Sequence, residues 1–279
     1  PPDAPIPEPP PPYALPALFA KHWVPMTVGE RWIYSASWNG IPVGSAVIEA
    51  VEIRQILGRK ALHVRCSIQP NATIQALYHV KDEISTDIDL ETGWPLRFAK
   101  HIEEGSRLKD EVIEFDQAGK TATYYRCKLD EGETVFTPVL VMPIPEGVQD
   151  PLSCLFQARA LPLLDGDEDI IRVNTDERTY DTRLKVKKHL PAYLARFGDL
   201  KAILLDPRLD YEGIFPSKGT LKLWVEEETR VPLKLEVEIK IGIIQGELVR
   251  REGGREAFKR IPKIPDSERI RVGRPPAGR

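Results

Sequence analysis

The chain has 279 residues, of which 42% are hydrophobic and 29% are charged, a composition that indicates neither general disorder nor membrane insertion. No stretch approaches the roughly 18 consecutive apolar residues of a membrane-spanning helix. The net charge of -3 gives no electrostatic reason to expect a nucleic-acid partner. The length accommodates one large β domain or two small ones.

Residues 1–20 are predicted to form a proline-rich leader. Repeated prolines favour extended polyproline II over a packed structure. Two interpretations stay open, namely a semi-rigid tether between a membrane anchor and the domain, and a disordered leader. Because the first residue is Pro1 rather than Met, we expect that an N-terminal piece such as a signal peptide has been removed.

From Trp32 onward, apolar residues recur at every second position, which is the period of a half-buried β-strand. The alternation is clear over 62–69 and clearest over 233–241. Evenly spaced strands with frequent turn signals are typical of an antiparallel meander. The sequence therefore predicts a single all-β domain over 21–249, in which the meander curls into a barrel, half-barrel or sandwich.

Turn chemistry predicts three hairpins. The dipeptide Asn39-Gly40 favours a type I′ turn, so 32–38 is predicted to pair with 41–50. The same reasoning pairs the strands on either side of the loop at 117–120, and those on either side of the polar stretch at 228–229.

One segment has a helical period. Asp150 is a good N-cap and Pro151 suits a first helical position, which predicts a helix over about 150–159 that packs on or plugs the sheet. Arg159 falls on the apolar side of this helix. We therefore expect a carboxylate or several carbonyls to meet its guanidinium inside the protein. The alternative is that Arg159 extends past the helix end to water.

Residues 250–279 are rich in arginine and lysine, with recurrent Pro and Gly at the end. One interpretation is contact between this tail and anionic lipid headgroups at a membrane surface, or an acidic partner. The other is a flexible, solvated tail.

The cysteines and histidines give no site signature. Cys66, Cys127 and Cys154 are an odd set without close spacing, which excludes a multi-disulfide framework and a cysteine-based zinc site. A single Cys66–Cys127 bridge and three free thiols both stay open. The histidines lack zinc-ligand spacing, and Ser153 lacks the Gly-x-Ser-x-Gly elbow of a nucleophile. We predict no catalytic residue, metal or cofactor, although a hydrolase with two carboxylates in a cleft is not excluded by sequence.

The stretch 29–46, which includes Trp32 and the Asn39-Gly40 turn, resembles the opening of a bacterial family known as domain of unknown function 3108. Segments at 78–89, at 150–159 and at 218–233 fit the same pattern in order. The resemblance covers about 28–249 and implies an exported, β-rich protein of the periplasm or cell envelope. It supplies no catalytic residue, because it implies no assigned activity.

Two functions are compatible with these observations. The first is a non-enzymatic envelope protein that binds or carries a lipid, acyl chain or lipoprotein tail on a concave sheet face. The second is a structural or assembly protein that contacts another envelope protein through a strand edge or a tail. The residues predicted to line a ligand site, each of which could instead pack in the core, are Trp38, Tyr78, Tyr124, Arg159 and Trp224.

Overall fold

The computed structural model describes residues 25–77, 80–104, 107–130, 133–209, 221–239, 241–254, 257–265 and 270–271. The predicted leader over 1–20 lies outside these residues. The strands are β1 (Arg31–Trp38), β2 (Ile41–Ile56), β3 (Arg59–Pro70), β4 (Val80–Asp89), β5 (Pro95–Glu104), β6 (Arg107–Asp116), β7 (Thr121–Asp130), β8 (Glu133–Pro143), β9 (Glu168–Thr175), β10 (Arg178–Leu194), β11 (Gly198–Leu209), β12 (Leu221–Glu226), β13 (Pro232–Ile239), β14 (Gly242–Glu252) and β15 (Ile270–Arg271). The helices are α1 (Ala72–Leu77) and α2 (Ser153–Ala160).

These strands form one sheet in which most spatial neighbours are also neighbours in sequence. The order is β15, β10, β11, β12, β13, β14, β1, β2 and then β3 to β8 in succession, with β9 also paired to β10. Every pairing is antiparallel except that of β15 with β10. The predicted all-β antiparallel meander is confirmed. The sheet is not closed into a barrel, since β8 forms one edge and β9 and β15 share the other.

The hairpin predicted at Asn39-Gly40 is present. β1 pairs with β2 across these two residues, whose φ angles are 49° and 81°. Positive φ at both central positions is what a type I′ turn requires. The hairpins predicted around 117–120 and 228–229 are also confirmed, as β6 with β7 and β12 with β13.

The sheet curls until its two edges lie close together. The Tyr124 hydroxyl of β7 donates to Asn174 Oδ1 of β9 at 2.7 Å. The segment that follows β8 bridges the seam, because the Gln149 N–H donates to the Arg172 carbonyl at 2.8 Å and the Asn174 N–H donates to the Gln149 carbonyl at 2.7 Å. The result is an open barrel whose seam is covered by a loop.

Helix α2 fills the interior at one end of the curled sheet, which we call the plugged end. The Phe156 ring stacks on Trp32 of β1 with centroids 6.1 Å apart. Thr86 Oγ1 of β4 donates to Asp150 Oδ2 at 2.5 Å, just ahead of the helix. The predicted plugging helix is therefore confirmed.

The helix begins at Ser153, three residues later than its predicted start. Asp150 Oδ1 accepts the N–H groups of Leu152 and Ser153 at 2.7 and 2.8 Å. Its carboxylate thus caps a turn that leads into the helix, in the way that an N-cap satisfies free N–H groups.

Much of the main core lies on the face of the sheet that carries Trp32 of β1 beside Phe156 of α2, which we call the inner face. It draws apolar residues from most of the strands. Its largest fully buried aromatic side chains are Trp32, Tyr124, Phe98, Phe115 and Phe156. Burying one such side chain contributes about 1.5–3 kcal/mol, so this interior accounts for much of the stability.

Strands β11 and β12 are buried on both faces. Ile203 and Val225 belong to a second apolar cluster that includes α2 and β9, whereas the adjacent Ala202 and Trp224 belong to the main core. A strand covered on both sides has a continuous apolar sequence rather than an alternating one. This explains why the two-residue period is weak in this region.

The structure places the start of the predicted flexible tail, 250–279, on the sheet. β14 ends at Glu252. Beyond it, the Phe258 ring lies edge-on to Phe197 with centroids 5.1 Å apart, and the Arg251 guanidinium lies 5.2 Å from the Phe258 centroid. These aromatic contacts hold part of the 250–279 segment against the sheet, although its many charged residues alone indicated solvent exposure.

Helix α1 was not predicted. Asn71 Oδ1 accepts the Ile74 N–H at 3.0 Å, which is an N-cap contact that the asparagine could have signalled. In the described part of the chain, no helix has both the length and the apolar composition needed to cross a bilayer.

Candidate functional site

The inner face changes along its length from filled to accessible. At the plugged end, Trp32 and Phe98 are completely buried. The opposite end carries the β1–β2 turn, and we call it the Asn39 end. Toward it, inner-face residues become smaller and more exposed, and Ile68 of β3 reaches 46% exposure.

Eight apolar residues form a continuous surface on this accessible part of the inner face, which we call the inner apolar patch. Cross-strand pairing places them side by side, since Ala46 is paired with both Tyr34 and Ile68, and Cys66 is paired with both Ile48 and Ile84. Residues of a pleated sheet that share a register and a face are in contact distance. The patch consists of Ala36, Gly44, Ala46, Ile48, Cys66, Ile68, Ile84 and Gly246.

Half of the patch residues are glycine or alanine, so little side-chain volume stands above the sheet. The two glycines differ in the space that a Cβ atom would have. A Cβ at Gly44 would lie 2.3 Å from the Gln69 carbonyl oxygen, so the close approach of β3 requires glycine there. A Cβ at Gly246 would have Leu235 Cβ, 4.0 Å away, as its nearest neighbour. The space above Gly246 is therefore open.

Cys66 contributes an unreactive thiol to the patch. It is a free cysteine, which is at odds with the Cys66–Cys127 bridge. Burial raises the pKa of Cys66 to about 11, with a smaller effect from Glu83, so the thiol is protonated at neutral pH. A buried protonated cysteine behaves as a small apolar side chain. The side chain of Cys127 lies outside the described residues.

Two charged residues are paired with the patch within the described residues. Lys100 of β5 faces Ile84 and forms an ion pair with Asp176 at 3.2 Å. Asp82 faces Ile68 across β3 and β4. It is half-buried, and its Oδ1 accepts the Glu103 N–H at 3.2 Å. The patch can thus bind hydrocarbon through dispersion and the hydrophobic effect, and it has little polar chemistry to offer.

Trp38, the first of the residues predicted to line a site, lies at the rim of the patch. It is paired with Ile244 of β14 and is 38% exposed. Its Nε1–H donates to the Ile241 carbonyl at 3.1 Å.

Tyr124 is in the core and not at an accessible surface. Its hydroxyl donates to Asn174 and accepts the Glu177 N–H at 3.1 Å. Burial is the main cause that raises the pKa of this phenol above its ordinary value. Tyr124 therefore joins β7 to the β9–β10 turn.

Arg159 is buried at the plugged end, as the helix pattern predicted. Its Nε donates to the Arg230 carbonyl at 3.0 Å and its Nη2 to the Thr229 carbonyl at 3.2 Å. Its guanidinium also lies 4.8 Å from the Trp32 ring centroid. Burial lowers the pKa of Arg159 to about 10, while nearby Glu30 opposes this, so the group is charged at neutral pH. Of the expected carboxylate or several carbonyls, two carbonyls bond to the guanidinium, and its Nη1 has no hydrogen-bond partner among the described residues.

Trp224 is also a core residue. It is 6% exposed, and Lys234 Nζ lies 5.3 Å from its ring centroid. Its Nε1–H has no acceptor among the described residues. Tyr78 lies outside the described residues.

The five predicted residues are therefore not gathered around one site in the described structure. The residues that make the patch accessible are small, and the prediction, which favoured large aromatic side chains, missed them. Ala36, Gly44, Ala46 and Gly246 are signalled in the sequence only as weak strand formers.

The groups with catalytic potential are tied into structural contacts. Ser153 is fully buried, and its Oγ accepts the Asp150 N–H at 2.9 Å. His63 Nδ1 lies 3.0 Å from Asp87 Oδ1, and Arg54 donates to both oxygens of this carboxylate. Burial raises the pKa of Asp87, but hydrogen bonds from His63 and Arg54 bring it below its ordinary value. Among the described residues, no serine, threonine or cysteine bonds to His63.

In the described part of the chain, no group of three or more His, Cys, Asp or Glu side chains is placed to hold a metal ion.

Sequence comparison identifies a family for most of the chain. The model of a family described as "Protein of unknown function (DUF3108)" matches residues 33–249. No curated protein matches the chain.

Solved structures resemble the chain in fold. A β-barrel-like protein of domain of unknown function DUF1849 from Brucella abortus has a TM-score of 0.50 and 14% identity, over 82% of this chain and 98% of that one. A presumed exported protein with a YmcC-like fold from Bacteroides fragilis has a TM-score of 0.34 and 10% identity, over 83% and 99% of the two chains. A presumed lipoprotein from Parabacteroides distasonis has a TM-score of 0.27 and 8% identity, over 83% and 98%.

Proposed function

The chain belongs to the DUF3108 family of proteins of unknown function, and from this premise we propose that it is a non-enzymatic protein of the cell envelope that binds a hydrophobic ligand on its inner apolar patch. The ligand class is a lipid, an acyl chain or the lipid tail of a lipoprotein. The observation that carries the proposal is the half-buried, side-chain-poor patch that continues directly from the core.

Side-chain exposure increases along the inner face from the plugged end to the Asn39 end. Ile48, Cys66 and Ile84 pack against the core and yet keep part of their surface exposed. Exposed apolar surface that is concave and rimmed by polar residues is typical of ligand-binding grooves. The closed plugged end stops a ligand from passing deeper, so the ligand would lie across the strands near Ala46.

A pair of adjacent substitutions tests the site. Ala46→Phe places a large ring on the patch, whereas Ser45→Phe places the same ring on the opposite face of β2. With 11-dansylaminoundecanoic acid as the probe, we expect Ala46→Phe to weaken binding by about tenfold or more, because the phenylalanine ring occupies the surface that the acyl chain of the probe would contact. Probe fluorescence on titration gives the Kd.

The control variant Ser45→Phe is expected to bind the probe as the natural sequence does. Equal loss in both variants would point to a general disturbance of the sheet, and no binding by the natural sequence would refute the proposed function. Native mass spectrometry with palmitate checks the stoichiometry independently of fluorescence.

A second candidate function, assembly through protein contacts, is favoured by the outer edge of β8. No described residue pairs with that edge, and the strand exposes Val135, Phe136, Val139 and Val141. An exposed apolar edge strand is a template for an added strand from a partner. Pro138 and the bulge at Val139 confine such pairing to the residues on either side of them.

Introducing positive charges on the apolar surface of β8 would test this second function. The double substitution Phe136→Lys with Val141→Lys is expected to abolish cross-links to a fixed protein partner in intact cells. The matched substitution Ile170→Lys, on exposed β9, is expected to leave them in place. Cross-links that persist in the β8 variant would rule out this edge.

A further inference from the structure

The Asn39 end of the sheet presents apolar side chains from two adjacent turns. Ile41 is 63% exposed in the β1–β2 hairpin, and Ile241 and Ile243 are 68% and 41% exposed at the β13–β14 turn. Trp38 stands between them. Isolated exposed apolar residues are ordinary on protein surfaces, but a contiguous group marks an interaction site.

Hydrogen bonds lock the two turns into one rigid unit. The Asn39 N–H donates to the Ile243 carbonyl at 2.8 Å, and the Ile243 N–H donates to Asn39 Oδ1, also at 2.8 Å. Gly242 has φ +129°, and a Cβ there would lie 2.2 Å from Asn39 Oδ1. The chain therefore needs glycine at 242 to hold the apolar side chains in this fixed arrangement.

The chemistry of this unit suits a lipid interface. No charged residue occurs in 36–44 or in 241–244, and the charged residues next to the second turn are Lys240 in sequence and Glu238, which is paired with Ile243. The indole N–H of Trp38 is already bonded to the Ile241 carbonyl, so its ring can enter an apolar medium without an unsatisfied donor. Tryptophan at the boundary between water and hydrocarbon is a common membrane anchor.

We infer that the Asn39 end docks on the surface of a phospholipid bilayer, with Trp38, Ile41, Ile241 and Ile243 inserted at the level of the headgroups. This inference rests on the proposed function, because the inner apolar patch reaches the same end through Ala36 and Ile68. A ligand chain that leaves the bilayer would move onto the patch without crossing water. Docking therefore identifies the bilayer as the source or destination of the ligand.

Vesicle binding by the full chain tests the inference. With vesicles of phosphatidylethanolamine and phosphatidylglycerol, we expect Trp38→Ser with Ile41→Ser to lower the partition coefficient by about tenfold or more, since two apolar side chains no longer enter the interface. The matched control is Ile53→Ser with Leu57→Ser, which removes two side chains of 53% and 51% exposure at the other end of β2. Cosedimentation measures both.

A spectroscopic readout locates the contact. In a Trp23→Phe background, since Trp23 lies outside the described residues, bromine-labelled acyl chains are expected to quench tryptophan fluorescence. Adding Trp38→Phe should remove most of this effect, because the remaining Trp32, Trp94 and Trp224 are buried. Absence of vesicle binding by the natural sequence, or equal loss in the two double variants, would overturn the inference.

The two proposals fail separately. Ile41→Ser with Ile241→Ser leaves the patch and its rim residue Trp38 intact, so this variant should bind vesicles more weakly and still bind 11-dansylaminoundecanoic acid in the absence of vesicles. Binding of the probe but not of vesicles by the natural sequence would refute docking and leave the proposed function standing. Vesicle binding that survives Ala46→Phe, together with loss of the probe, supports docking as a distinct step.

Discussion

The inner face is filled by a helix at one end of the curled sheet and is accessible at the other end. At the plugged end, α2 fills the interior with Phe156 and Arg159, and two backbone carbonyls accept hydrogen bonds from the Arg159 guanidinium. At the Asn39 end, the same face carries the small residues Ala46 and Gly246, both of which stay partly exposed.

Because of this difference, we expect the plugged end to provide most of the stability and the Asn39 end to provide the binding surface. Buried aromatic side chains and the hydrogen bonds of Asp150 and Arg159 stabilise one end, whereas the exposed apolar surface of the other end contributes little to stability. Substitutions should therefore have large effects on unfolding at the plugged end and small effects at the Asn39 end. Four experiments test this contrast.

The largest effect is expected from Phe156→Ala. The ring is completely buried against Trp32, so its removal leaves a cavity that costs about 3–5 kcal/mol of the free energy of unfolding. The same substitution at Phe136, which is 44% exposed on β8, should cost less than about 1 kcal/mol. Urea denaturation measures both, and similar losses would contradict the contrast between filled and accessible regions.

Arg159→Met should have the next largest effect. It leaves the Thr229 and Arg230 carbonyls without their donor and removes the contact with Trp32, so we expect a loss of about 2–4 kcal/mol. The exposed Arg172, paired with Asp181 at 3.4 Å, is the control, and Arg172→Met should change stability by less than about 0.5 kcal/mol. A loss below about 1 kcal/mol in Arg159→Met would mean that this guanidinium is solvated.

Asp150 should make the plugged end sensitive to pH. Burial raises the pKa of Asp150 to about 6, although hydrogen bonds from Thr86, Ser153 and Leu152 act in the opposite direction. The unfolded value is about 3.9, so the folded protein binds the proton more tightly, and this stabilisation is present below about pH 4 and lost as pH rises through about 6. Relative to Asp150→Asn, the natural protein should lose about 1–3 kcal/mol over that range. Parallel stability curves, or the opposite slope, would show that the hydrogen bonds prevail over burial.

The smallest effect is expected at the Asn39 end. Gly246→Ala should leave stability unchanged or raise it by about 0.5 kcal/mol, because its Cβ has room and alanine restricts the unfolded chain. Gly44→Ala, its partner in the patch, should instead cost about 1–3 kcal/mol through the clash with the Gln69 carbonyl. If both variants behaved alike in thermal denaturation, the patch would not have the open space described above.

Local chemistry made much of the fold predictable. The Asn39-Gly40 turn and the alternating strands depend on neighbours within a few residues, and their prediction was accurate. The burial of Arg159 followed from helical spacing and the cost of an unpaired charge. The resemblance in 29–46 also led to the correct family.

Features that depend on distant residues were not predictable in this way. A count of charges in the C-terminal segment could not predict the contact of Phe258 with Phe197. No local sequence pattern predicted that the loop at Gln149 would bridge the seam. The inner apolar patch needed the register of five strands, because small residues such as Ala36 and Gly246 reveal an accessible surface only when they are side by side.

The pairing of β1 with β14 also has a consequence for how the protein folds. Tyr34 lies opposite Leu248, so the first strand gains its second neighbour only after more than 200 intervening residues have been made. Contacts of such long sequence separation close late and slowly, because a large loop must be ordered first. A chain that lacks β14 would leave one side of β1 unpaired, which couples the late part of synthesis to protection of that edge from aggregation.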